Sequence, residues 1–210
     1  MADQVVVFID YQNVYRRARG AFFDHRTDRA YCGQIHPLKL GELLVKAGKG
    51  DRELKEVRVY RGMPVNRHDP KGYGATRRQL ATWDKLAPQL KYFTRDLRYA
   101  NDDGTGYQGP PQEKGIDVAL AVDFATMAGR KQFDVGILFS VDTDLKPALE
   151  YVVEQRRAWG KPRAEVAAWS PKEGYGRRLS AKGGNLHCHW LNEGAYRTVC
   201  DHTDYTLSSR

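Results

Sequence analysis

Asp142 and Asp144 stand one residue apart just beyond an apolar run, Val135 to Phe139, in the segment DVGILFSVDTDL (Asp134 to Leu145). Asp10 follows a second such run, QVVVFI (Gln4 to Ile9), and Asp117 opens a helical pattern after EKGI (Glu113 to Ile116). Four carboxylates gathered in one place raise one another's pKa, and a divalent cation relieves the repulsion. All-oxygen ligands suit Mg²⁺ or Mn²⁺ rather than zinc. Such an ion can turn bound water into hydroxide and stabilise in-line attack on a phosphodiester. Asp142 also has a plainer role open to it, as the cap of the helix that follows. Asp144 can be a ligand, a base, or an acid that supports the ligands.

Convergence of these acids depends on the elements that carry them. Gln4 to Ile9 and Val135 to Phe139 read as strands buried on both faces, as in a parallel sheet. Glu56 to Arg61, Leu90 to Leu97 and Ala164 to Trp169 read as further strands, with Asn185 to Leu191 a short sixth. Helices are expected over Tyr11 to Gly20, Leu38 to Ala47, Ala75 to Leu86, from an opening at Glu113 to Asp117 as far as about Ala128, and over about Asp144 to Arg157. The βα alternation implies a parallel sheet with right-handed crossovers. Acids at the carboxyl ends of its strands then face a ligand crevice. Asp123 lies about 9 Å further along its helix than Asp117 at ~1.5 Å per residue. It reads as a buried acid satisfied by hydrogen bonds. Ala21 to His36 and the Gly- and Pro-rich Asn101 to Gln112 read as loops.

The chain has 210 residues and a net charge of +8. That length fits one domain, expected over residues 1–185, with an extension at 186–210 packed on it. The positive charge favours a polyanionic partner. Arg16, Arg17 and Arg19 follow the first acidic junction, and Arg177, Arg178 and Lys182 surround Tyr175 in a loop after the fifth strand. A basic loop with an interleaved aromatic suits a phosphate backbone and a stacked base. Three scattered cysteines, no spanning segment and no basic leader point to a cytoplasmic protein without a membrane partner. His187, His189, Cys200 and His202 are zinc-binding types, but their spacing matches no common finger, so ordinary strand and surface roles rank above a zinc site. No Walker A, GxGxxG or GxSxG sequence is present, which disfavours NTPases, dinucleotide enzymes and serine hydrolases. A phosphatase of the haloacid-dehalogenase type expects an acid two residues after Asp10, where this chain has Gln12.

Three blocks, FIDYQN (Phe8 to Asn13), EKGIDVALAVD (Glu113 to Asp123) and ILFSVDTDLKPAL (Ile137 to Leu149), resemble in order the signature blocks of NYN domains, PIN-like nucleases, with the LabA-like branch nearest. The resemblance implies a three-layer α/β/α sandwich with a central, mostly parallel sheet, and metal-dependent ribonuclease activity, endonucleolytic in expectation. It implies that Asp10, Asp117, Asp142 and Asp144 form a Mg²⁺ or Mn²⁺ site with Asn13 beside it. Substrate contacts are expected from Asn13, Arg16, Arg17, Lys114, Ser140, Arg177 and Arg178, with RNA as partner and homo-oligomerisation open. The chain departs from the family at Val141, where Gly is usual, and at Leu145, where Phe is usual. The rival reading is a nucleic-acid-binding regulatory module with little or no turnover, and a metal-dependent phosphatase ranks behind it.

Overall fold

Val5 to Ile9 have no exposed surface and form the middle of β1 (Asp3–Asp10), the strand about which the molecule is built. The computed structural model describes residues 1–24, 27–29, 31–100 and 109–207. The other strands are β2 (Arg52–Met63), β3 (Leu90–Asp96), β4 (Val135–Phe139), β5 (Arg163–Trp169) and β6 (Cys188–Leu191). All pair in parallel, in the order β3-β2-β1-β4-β5-β6. The chain winds outward from β1 through β2 to β3, then returns to β4 on the other side of β1. The β1/β4 boundary is therefore the topological switch point, where a crevice opens beyond the strand ends.

Alternate residues of β1 feed separate cores because successive side chains point to opposite faces. Val5, Val7 and Ile9 pack with residues of α1 (Tyr11–Phe22), α2 (Pro37–Ala47), α3 (Pro70–Trp83) and α6 (Glu193–Val199). Val6 and Phe8 pack beneath α4 (Ile116–Gly129) and α5 (Lys146–Trp159). Helices thus cover both faces of the sheet in three layers, α/β/α. Phe8 meets Phe124 and Phe133 edge-on, with ring centroids 5.0 and 5.8 Å away. Gly136 fits against the same rings: an added Cβ would stand 2.7 Å from Phe133 and 2.8 Å from Phe124. Gly136→Ala should therefore cost about 1–3 kcal/mol by overpacking, read as a lower urea midpoint at unchanged m.

Element boundaries differ from the sequence reading in ways with local causes. The third helix starts at Pro70 rather than Ala75, because Asp69 caps it by accepting from Gly72 N (2.8 Å) and proline suits its first position. The first helix continues past Gly20 to Phe22, and β2 extends from Arg52 to Met63 beyond the alternating run Glu56 to Arg61. The sheet is wholly parallel. A single turn of 3₁₀ helix, Thr143–Leu145, precedes α5. Residues 101–108 of the expected loop lie outside the described residues. The segment beyond residue 185 supplies β6 and also α6, which the sequence reading lacks. It is tied back by Tyr196, whose ring packs on Phe22 and Trp169 and whose hydroxyl accepts from Gly33 N (2.8 Å). Among the described residues no helix is long and apolar enough to cross a membrane.

Candidate active site

Asp10 is the last residue of β1 and the cap of α1: its Oδ1 accepts from Asn13 N (3.2 Å). Its Oδ2 accepts from Ser140 Oγ (2.8 Å), one residue past the end of the neighbouring strand β4. Ser140 Oγ in turn accepts from Asp142 N (3.0 Å), and Val141 N donates to Asn13 Oδ1 (3.2 Å). These bonds stitch the two strand ends together and set Asp10 and Asp142 beside one another. Asp142 also caps the 3₁₀ turn, accepting from Asp144 N at 3.0 Å. Capping uses only part of a carboxylate's acceptor capacity, so it does not exclude a second role.

Asp117 arrives from the other side. Gly115, at φ 77°, takes the left-handed backbone that glycine adopts freely, and α4 starts at the next residue. That bend puts Asp117 in the first turn of α4 and turns Glu113 inward, where Gly62 N donates to Glu113 Oε1. Asp10, Asn13, Glu113, Asp117 and Asp142 consequently line one cleft of about 380 Å³, with Arg16 and Arg17 on its wall. Glu113 is the residue the sequence reading missed. Its only signal was position, in the EKGID block before a glycine able to fold it back.

Burial pushes the Asp10 carboxyl up to about 7, against the hydrogen bonds from Ser140 and Asn13, and the negative charges of Glu113 and Asp117 push the same way. Burial likewise raises Glu113, with Asp117 adding to it; the Gly62 N–H and the cations Arg16 and Arg61 oppose. The cleft thus brings together four carboxyl groups, two of them resisting ionisation, and two arginines. An all-oxygen donor set under mutual repulsion fits a hard divalent cation.

Other expected site residues sit elsewhere. Asp144 is exposed and does not line the cleft, because the 3₁₀ turn rotates it away from Asp142. Ser140 is fully buried, with its hydroxyl on the Asp10 carboxylate. Lys114 is exposed and lines a separate shallow surface with Arg95 and Arg98. Arg19 is buried and donates to the carbonyls of Arg29 (2.6 Å) and Cys32 (2.9 Å), which makes it a brace for the loop after α1. Arg177 and Arg178 line, with Lys146, a cavity of about 710 Å³ that shares Asn13, Arg17 and Asp142 with the acidic cleft. Lys172 pairs with Glu193 at 2.7 Å. Asp123 is partly exposed and not buried; Arg58 Nη2 (2.9 Å) and Tyr60 Oη (2.6 Å) both donate to it, outside the cleft.

Among the described residues, the one group of three potential metal ligands whose donor atoms all lie within 4.8 Å of one another is Glu165, His187 and His189. The carboxylates of the cleft do not close that far. Glu165 is already bound by Arg52 through two hydrogen bonds (2.9 and 2.7 Å) and by His189 Nε2 (2.7 Å). Burial opposes its ionisation, but the bonds from His189 and Arg52 outweigh that and hold its pKa at about 2. Glu165 and Arg52 thus form a buried ion pair, while His187 is exposed. Cys200 and His202, which the sequence set beside these histidines, instead contact each other (Sγ to Nε2, 3.0 Å).

No curated protein matches the chain. The family profile described as NYN domain matches residues 4–161, from β1 to the turn before β5 and across all three sequence blocks. With a six-stranded parallel sheet between helix layers in the PIN-like arrangement and acids at its switch point, the chain belongs to the NYN domain family.

Proposed function

We propose that this protein is a metal-dependent ribonuclease whose centre is the cleft of Asp10, Asp117 and Asp142. The observation that carries the reading is the meeting of three acidic junctions in one cleft with arginines on its wall. Mg²⁺ or Mn²⁺ held by these three aspartates would supply hydroxide from bound water and offset charge on the attacked phosphate. Ser140 and Asn13 hold the Asp10 carboxylate in place through both of its oxygens. Glu113 Oε1 accepts from Gly62, which leaves Oε2 as the atom able to take or release a proton. Arg16, Arg17, Arg177 and Arg178 hold phosphates on either side of the acids, which alone would repel the polymer.

The separation of the cleft carboxylates favours one second reading, a nucleic-acid-binding module without turnover. Labelled single-stranded RNA, structured RNA and DNA incubated with Mg²⁺, Mn²⁺ or EDTA separate the two. The nuclease reading expects RNA to be cut with either metal and spared in EDTA. Binding without cutting under every condition selects the rival. In either case replacing both Arg177 and Arg178 by Ala should weaken RNA binding across sequences. It should also flatten the log–log salt dependence by about 1.4, at about 0.7 per phosphate contact on a single strand. An unchanged slope removes the loop from the substrate path.

A further inference from the structure

Beyond the acids the groove changes character. Arg16 and Arg17, which wall the acidic cleft, also wall a third cavity of about 280 Å³, closed by Val141, Trp169, Pro171 and Tyr175. Val141 and Arg177 belong both to this cavity and to the one that contains Asp142. One continuous surface therefore runs from the carboxylates, past arginines, to an apolar recess. Its floor is rigid: Trp169 is buried, donates from Nε1 to Val14 O (2.9 Å) and packs against Phe139 and Phe22. Its outer wall is the opposite, since the Tyr175 ring is fully exposed.

The recess lies at the small end of ligand pockets, which start at roughly 300 Å³. That volume is enough for one flat ring system. Flanking arginines call for an anionic ligand, while the aromatic and aliphatic walls call for an uncharged planar one. A nucleotide within a strand supplies both, with its phosphates on the arginines and its base in the recess.

We infer that this recess seats one unpaired base of a single-stranded RNA, stacked on Tyr175 and bounded by Val141 and Pro171, while Arg17 and Arg177 hold the adjoining phosphates. The inference rests on the reading of the acidic cleft as a nuclease centre and adds the place where a base beside the cut strand is held. A paired base would first have to be unstacked and extruded at a cost of a few kcal/mol, so duplex RNA is discriminated against. Val141 takes part directly, because it lines both this recess and the cavity that contains Asp142.

The test measures binding in EDTA by fluorescence anisotropy. Its probes are a labelled single-stranded oligoribonucleotide, a fully abasic strand of the same length with the same phosphates, and a duplex. Stacking of one base on an aromatic ring predicts that the intact strand binds roughly 5- to 150-fold tighter than the abasic one. Tyr175→Ala should abolish that preference and Tyr175→Phe should keep it. The duplex should bind no better than the abasic strand and should not respond to Tyr175. Equal affinity for intact and abasic strands, or a preference that survives Tyr175→Ala, overturns the inference. Incubation of the intact strand with Mg²⁺ reports separately on the nuclease reading. Base preference without cleavage keeps the pocket and removes the nuclease, and cleavage without base preference does the reverse.

Discussion

Asp142→Asn should reduce RNA cleavage by at least about 100-fold while leaving the protein folded. Removing even a group that only supports a metal ligand costs 10- to 100-fold, so loss of a ligand's charge sets a higher floor. The substitution isolates charge because asparagine keeps an oxygen for the bond from Asp144 N, and asparagine caps as well as aspartate. Asp142 is only partly buried, so the change in melting temperature should be small. Single-turnover cleavage at saturating Mg²⁺, with circular dichroism melts as control, reads both quantities. Full activity in a folded variant would leave Asp142 with the cap as its whole role. Asp144→Asn offers the contrast: that side chain stands outside the cleft, and its replacement should change the rate far less.

In EDTA, Asp10 should make the protein less stable as pH rises from about 4 to about 7. Its carboxyl ionises near 3.8 when unfolded and near 7 in the fold, where burial and the charges of Glu113 and Asp117 resist ionisation. Between those values the folded state binds more protons than the unfolded one, so stability is fully present below the unfolded pKa and is lost as pH climbs through the folded one. The interval corresponds to on the order of 4 kcal/mol. Glu113, raised by burial, adds a loss of the same sign. Glu165 acts in another window: its folded pKa near 2 gives stability that is present above its ordinary 4.5 and disappears toward pH 2. Asp10→Asn keeps the cap through Oδ1, and its amide N–H can donate to Ser140 Oγ once the hydroxyl proton turns away. The variant should be the more stable protein at pH 8 and should show a much flatter profile between pH 4 and 7. Urea unfolding across that range measures it, and superimposable profiles for variant and parent would exclude Asp10 as the source. A divalent cation at pH 8 should restore parental stability by binding the ionised cleft, with little effect on the variant.

Much of the site was legible in the sequence because its signals are local. A strand buried on both faces must be apolar along its length, so Val5 to Ile9 and Val135 to Phe139 announce themselves. The acids just past such runs fall at the strand ends whatever the rest of the chain does, which placed Asp10 and Asp142. Aspartate before proline at residues 69 and 70 was equally local evidence for a helix start, although the helix reading began at Ala75. Register and turn geometry are not local, and they divided the remaining candidates. Asp142 and Asp144 are of one type and two residues apart, yet one lines the cleft and the other faces solvent, because a single 3₁₀ turn rotates the backbone between them. Glu113 enters the cleft through the left-handed turn at Gly115 and the N–H of Gly62, 51 residues earlier. Arg19 and Arg17 belong to the same helix, but only the closure of the following loop decided that one guanidinium would bind carbonyls and the other face the groove. The sequence by itself determined which strands end in acid, because burial dictates composition residue by residue. Only the tertiary structure decided which acids share a cleft, because that depends on how chain segments far apart in sequence meet at the edge of the sheet.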